Sequence, residues 1–400
     1  MNGVAPHLSH MLHGCVAFAL ALSSPRVLVV GGSGRVGGST ARWLSKLSPD
    51  LQVAVGGRNQ QTFEQARARS GLPPACQFAC VDLDGGDEAL AESVSGYDLI
   101  VHTAGPFQQR TDPALMRAAI TAGVPYCDVC DELVLARNAK ELNAQAVAAG
   151  VPCVVSCGIW PGVSALMAAE AVDKLGGPGA CERLEFSFFT AGTGGAGPTI
   201  VSATFLLLAT EVAMYVDGQL VEKEPWLDRR VRDFGEGVGS HECFTLDNPD
   251  VPTTAEALGI KSCVSRFGTY PSFWNGLFGA MKLLPRSLLM DKAKMQALAV
   301  FSMPIIRVVD ALVGGTNAMR VDAYSADDTR VTVRCAHKDL EDCVGQATAA
   351  FGLELMRGRG DDDGRAASIP AGVHFPAELG QEARANILRI AREKAFVWEM

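Results

Sequence analysis

Residues 25–59, PRVLVVGGSGRVGGSTARWLSKLSPDLQVAVGGRN, restrict this chain more than any other stretch. Arg26–Val30 is a short β-branched run that stops abruptly at glycines, the pattern of a strand buried on both faces. Gly32-Ser33-Gly34-Arg35-Val36-Gly37 then fits G-x-G-x-x-G and opens helical periodicity over Arg35–Leu47. A second apolar run, residues 51–55, follows at βαβ spacing. Strand, glycine turn, helix and strand in that order are the setting in which the motif binds a dinucleotide. Gly32 is assigned to the tight turn, Gly34 to the close approach of a pyrophosphate and Gly37 to helix–strand packing. Free N–H groups at the helix start, at the positive end of its dipole, hold the phosphates in such a site.

The end of the second strand selects the cofactor. An NAD site places Asp or Glu there for the ribose hydroxyls, whereas this chain has Gly56-Gly57-Arg58-Asn59. With no carboxylate to repel a 2′-phosphate and with Arg58 able to bond one bidentately, NADP(H) is expected over NAD(H). The competing reading makes Arg58 a solvated loop residue and Asn59 a helix cap.

Four hundred residues, 48% of them hydrophobic, suffice for two cored domains. The net charge of −9 argues against nucleic acid or an anionic membrane as the main partner. Twelve cysteines without small-domain spacing point to a reducing compartment, cytoplasm or plastid stroma. Cys127-Asp128-Val129-Cys130 is the one C-x-x-C, with no second pair at zinc spacing, so no metal site is expected. Residues 1–24 form a tail or targeting segment whose apolar part, 11–22, lacks a preceding Lys or Arg.

Further strands are read at 76–81, 97–103, 124–128 and 151–156, each alternating with a helix, which makes a doubly wound parallel sheet. Asp82 closes the third strand, either facing the adenine or capping the next helix. The fourth ends in Ala104-Gly105-Pro106-Phe107, bare peptide at the carboxyl edge where a nicotinamide lies. The dinucleotide domain is placed at 25–178, an α+β substrate or dimerisation domain at 179–375, and a helix at 376–400. Within the second domain, 184–190 reads as a strand and 320–324 with 330–335 as a hairpin, giving an antiparallel sheet. A second glycine-rich loop, 192–198, opens an apolar helix at 200–215 and is read as substrate-facing or interface backbone. Residues 272–314 are strongly apolar. Lys282, Arg286, Asp291, Lys292, Lys294 and Pro304 interrupt them, so core or dimer contact is expected rather than a transmembrane span. A lipid-facing or apolar-substrate role is the alternative.

These pieces in this order resemble the saccharopine dehydrogenase-like oxidoreductases: GGSGRVGG, then HTAGPF, AGVPYCDVCDE, GIWPGVSAL and a later AGTGGAGPT. The resemblance is clearest over 25–175 and looser to 373. It implies an NAD(P)-binding Rossmann domain, an α+β domain that closes over the nicotinamide, and a homodimer through that second domain. It also implies cofactor contacts at Gly32, Gly34, Gly37, Arg58, Asp82 and the backbone of Ala104, Gly105 and Pro106; Ser33, Arg35 and Val36 complete the turn. One departure stands out. Where such proteins often have Tyr-x-Asp-x-x-Gly-Glu, this chain has Tyr126-Cys127-Asp128-Val129-Cys130-Asp131-Glu132, with Asp131 in place of glycine. The added bulk and negative charge argue against a tricarboxylate such as saccharopine.

Hydride transfer to a C=O, C=N or activated C=C needs a proton donor beside the acceptor. Asp128, Tyr126 and Glu132 are the main candidates, with Asp131 beside them; each carboxylate has a helix cap or surface charge as its competing reading. The first functional expectation is an NADP(H)-dependent oxidoreductase of a small molecule. A reductase of an apolar acyl or prenyl substrate and a non-catalytic cofactor-binding scaffold at a lipid surface are the alternatives.

Overall fold

The computed structural model describes residues 24–105, 107–358 and 367–400. The tail at 1–23, Pro106 and most of the charged loop at 358–364 lie outside the described residues.

Six parallel strands, β1 Arg26–Val30, β2 Gln52–Gly57, β3 Gln77–Cys80, β4 Leu99–His102, β5 Tyr126–Asp128 and β6 Pro152–Val154, are ordered 3-2-1-4-5-6. β1 is central, and its alternate side chains feed two separate cores. Val27 and Val29 pack into the layer that holds Trp43, Leu44 and Phe351, while Leu28 and Val30 pack against Leu90, Met116 and Phe107. Both faces being covered explains the unbroken apolar run that marks this strand in the sequence.

Two features depend on chain far from the first βαβ unit. Gly372–His374 adds a seventh parallel strand beside β6. The helix Leu340–Met356 lies against the helix Arg35–Leu47 at a glycine: a Cβ on Gly345 would fall 2.5 Å from Ser39 Oγ and 2.7 Å from Thr40 N. The parallel-sheet half is thus completed by residues that lie between the last two strands of the second sheet.

That second sheet has nine strands and is antiparallel except where Ser262–Tyr270 runs parallel to Arg183–Ala191. The expected hairpin is Thr316–Tyr324 with Arg330–His337, and the C-terminal Val397–Glu399 pairs with its outer strand. The helix expected over 200–215 is the helix Pro198–Leu207, followed by the strand Val212–Val216. Val212, Tyr215 and Val216 carry the β propensity that apolar composition alone concealed.

The apolar stretch at 272–314 forms the helices Phe273–Met281, Arg286–Leu289 and Lys292–Val313. Among the described residues Lys292–Val313 is one helix long and apolar enough to cross a membrane. It packs along Pro198–Leu207 through a stripe of Met295, Ala299, Met303 and Ile306, and leaves Phe301, Ile305, Val308 and Leu312 exposed.

Candidate active site

The turn after β1 is shaped by close packing. In the tight turn assigned to Gly32, the left-handed backbone falls on Gly31, whose φ is +82°. At Gly32 a Cβ would lie 2.9 Å from Val29 O and from Val55 Cγ1, and at Gly37 one would lie 2.4 Å from Thr103 Oγ1. Gly34 occupies the N-cap, so no side chain covers the helix start. The first turn's N–H groups, from Arg35 to Gly37, have no acceptor within the helix.

Ser33 Oγ is buried without a partner, beside Gly57 at the end of β2. Bare amides, an orphaned hydroxyl and glycines that keep the surface free of side chains fit the diphosphate of a dinucleotide. Arg58 is exposed and makes no hydrogen bond or ion pair among the described residues, while Asn59 caps the helix Gln60–Ser70 by accepting from Gln61 N and Thr62 N. Arg69, which sequence reasoning did not single out, donates from Nη2 to Ser33 O at 2.7 Å and brings a second cation to this edge. Asp82 is exposed and accepts from Asp84 N at 3.2 Å; the next helix is capped by Gly86.

From Gly34 and Gly37 a cavity of about 350 Å³ runs between the two sheets. Its floor carries Thr103, Gly105, Gln108 and Asp131, and its roof Trp160, Phe188, Leu246 and Phe267. Arg35 closes one side. Its guanidinium is held by the carboxylate of Glu341 and by Gly195 O, and Glu341 also accepts from Gly197 N at 3.0 Å. The second glycine-rich loop, read as substrate-facing or interface backbone, therefore sits directly on the first, with Gly197 and Pro198 in the cavity wall.

The four acidic and phenolic candidates are divided by this geometry. Asp128 lies at the end of β5, buried, accepting from Ser156 N at 2.8 Å, Cys130 N at 3.0 Å and Tyr126 Oη at 3.1 Å. Burial pushes its carboxyl up to about 6 against the pull of those hydrogen bonds. Tyr126 gives its proton to Asp128, so it accepts from His102 Nδ1 at 2.9 Å. Burial raises the phenol well above its ordinary value and lowers His102 to about 3, which keeps both neutral. This trio lines a separate pocket of about 30 Å³. Glu132 caps the helix Leu133–Glu141 and accepts from Gln109 N at 3.0 Å.

Asp131 alone of the four faces the large cavity. Gln108 Nε2 donates to its Oδ2 at 2.7 Å, and burial raises its carboxyl to about 6. Gln108 Oε1 is left buried without a partner. Across the cavity Asp247, also raised to about 6 by burial, accepts from Ala213 N at 2.9 Å. Sequence reasoning missed Gln108, Asp247 and Glu341. Gln108 could have been found from its place just beyond the Gly-Pro edge of β4; the other two come from elements joined only by the fold.

Residues 27–154 match the saccharopine dehydrogenase NADP binding domain family. Over 134 residues the chain is 28% identical to a trans-acting enoyl reductase of Mycobacterium leprae and 30% identical to one of Mycobacterium ulcerans. These matches cover 33% of this chain and 32% of each relative, so the chain spans about a third of the length of the curated relatives it matches. Apo saccharopine dehydrogenase (L-Glu forming) of Saccharomyces cerevisiae superposes over 94% of this chain and 99% of its own, with a TM-score of 0.63 at 14% identity. Residues 27–154 are a saccharopine dehydrogenase-type NAD(P)-binding domain, set in a chain with the α/β fold of saccharopine dehydrogenase.

Proposed function

We propose that the chain is an NADP(H)-dependent oxidoreductase that reduces an apolar, activated double bond, with Asp131 as proton donor and Gln108 as the residue that orients it. The observation that carries this reading is the cavity itself, which joins the uncapped helix start at Gly34–Gly37 to a carboxyl raised to about 6. The bound cofactor supplies the hydride, and the protein supplies position and the proton. Ser33 and the amides of Arg35 to Gly37 hold the diphosphate, with Arg58 on the 2′-phosphate. Thr103 and Gly105 lie along the cavity at the carboxyl edge of β4.

Asp131 replaces Asp128, Tyr126 and Glu132 as the leading donor because their polar atoms are engaged elsewhere. In this reading Asp128 and Tyr126 brace the ends of β5 and β6, and Glu132 fixes the loop that carries Gln108. The substrate class follows from charge. Arg35 is the one cation in the cavity wall among the described residues, and Glu341 already pairs it. Asp131 and Asp247 repel anions once ionised, above about pH 6, so a tricarboxylate finds no counter-charge. Trp160, Phe188 and Phe267 favour an apolar partner, and the relatives named enoyl reductases support a C=C acceptor over a C=N one. Pairing of two chains through the second domain completes the proposal, supported by the apolar face left exposed on Lys292–Val313 and tested by sedimentation velocity.

Steady-state oxidation of NADPH in the presence of an α,β-unsaturated acyl thioester or a ketone, and reduction of NADP in the presence of saccharopine, test the reading. Turnover is expected with the apolar unsaturated compound. Turnover with saccharopine alone, or none with any acceptor despite bound cofactor, contradicts it; the latter favours the scaffold alternative.

A further inference from the structure

A second cavity of about 300 Å³ adjoins the first and shares Trp160, Ile200, Thr204, Phe267 and Leu340 with it. We propose that this second cavity binds the hydrocarbon tail of the substrate, a single flexible alkyl, acyl or prenyl chain, while the first holds the group to be reduced. The proposal rests on the oxidoreductase reading and extends it to the length and chemistry of the ligand.

The wall beyond the shared residues is apolar: Phe205, Trp274, Leu277, Phe278, Met281 and Ile306. No Lys or Arg lies in it among the described residues. Most of its polar side chains are turned to protein, while the hydroxyls of Thr190 and Thr269 make no hydrogen bond among the described residues. Thr204 Oγ1 donates to Ile200 O at 3.1 Å and Ser302 Oγ to Leu298 O at 2.8 Å. Asp310, the one charge, accepts from Thr193 N and Thr193 Oγ1, both at 2.8 Å. None of the buried side-chain polar atoms left without a partner belongs to this wall, in contrast to Gln108 and Ser33 beside the first cavity. A space with few groups to bind water favours apolar ligands, and about 300 Å³ is the lower end of ligand-pocket sizes.

Shape restricts the ligand as well as polarity. The space lies between the helices Pro198–Leu207, Phe273–Met281 and Lys292–Val313, so a tail entering from the first cavity runs between helices rather than into solvent. Leu277 is 45% exposed and lines the same wall, so the far end opens beside Phe273, itself 56% exposed. A tail can therefore enter from outside without unfolding the core, and a chain longer than the cavity can protrude. Continuity with the site that holds the reducible group makes this a tail site rather than an isolated void.

cis-Parinaric acid, a fluorescent polyene chain, titrated into the full-length protein tests this directly through energy transfer from Trp160 and Trp274. Saturable transfer is expected. Ser302→Phe, which fills the space, and Leu277→Arg, which charges the open end, are each expected to weaken the probe about tenfold, equivalent to about 1.4 kcal/mol. NADPH affinity by calorimetry should stay within about twofold, which also shows that each variant is folded. Non-saturable transfer, or unaltered probe affinity in both variants with NADPH bound normally, overturns the tail site. Saturable probe binding by a protein that binds no NADPH overturns the oxidoreductase reading and, with it, the tail's role as part of a substrate.

Discussion

Gln108 Nε2 donates to Asp131 Oδ2 across 2.7 Å in the wall of the large cavity. Burial, reinforced by the nearby Glu132 and Asp128 charges, raises Asp131 to about 6, while the Gln108 hydrogen bond works in the opposite direction by stabilising the ionised form. A donor must begin protonated, so in the reductive direction kcat should fall as pH rises above about 6. Asp131→Asn should remove that limb and lower kcat by roughly 10²–10⁴-fold. Gln108→Leu should move the limb to higher pH, because it withdraws the one side-chain hydrogen bond that favours ionisation. A pH–rate profile unchanged in Asp131→Asn would refute the assignment.

Arg58 extends from the end of β2 with no protein partner among the described residues. Arg58→Ala should weaken NADPH by ~1.5 to 3 kcal/mol, the range for hydrogen bonds to charged groups, and NADH far less. Equal losses for both nucleotides in competition binding would remove the reason for preferring the phosphorylated form. Arg69→Ala should act the same way more weakly, since part of its bonding is spent on Ser33 O.

Gly37 permits the contact between the first helix and β4. An added Cβ would lie 2.4 Å from Thr103 Oγ1 and 2.5 Å from Gly31 O, and neither backbone atom nor buried hydroxyl can retreat far. Gly37→Ala should cost about 1 to 3 kcal/mol by overpacking. Urea denaturation followed by tryptophan fluorescence measures it, and a midpoint equal to wild type would show that the contact yields.

Asp250 is buried, accepts from Ser164 Oγ, and has an Oδ1 with no partner. Burial raises it to about 7 from 3.8. The folded state therefore holds a proton there that the unfolded state has lost, so this group's contribution to stability falls as pH rises from about 4 to 7 and is constant above. Asp250→Asn should gain on wild type by up to ~4 kcal/mol between pH 4 and pH 8. Melting curves of both proteins across that range decide it, and a constant offset between them would contradict it.

The parallel sheet was legible because β1, β4 and β6 are buried on both faces and read as unbroken apolar runs. The glycine turn was legible because close packing at Gly32 and Gly37 excludes every side chain. Gly372–His374 was not read as part of that sheet: three residues carry no periodicity, and their partner β6 lies more than two hundred positions away. Asp131 was visible as a departure from a pattern, but its partner Gln108 and the facing Asp247 meet it only through tertiary contacts. Asp128 and Glu132 stood ahead of Asp131 in the sequence, and the backbone amides that donate to them are what separate them from it.

The central claim is that the amides after β1 clamp the diphosphate of a nicotinamide dinucleotide. Calorimetric titration of the full-length protein with NADPH tests it most directly. One molecule per chain, displaced by NADP and poorly by NADH, is the result expected; no heat of binding with a folded protein would contradict it.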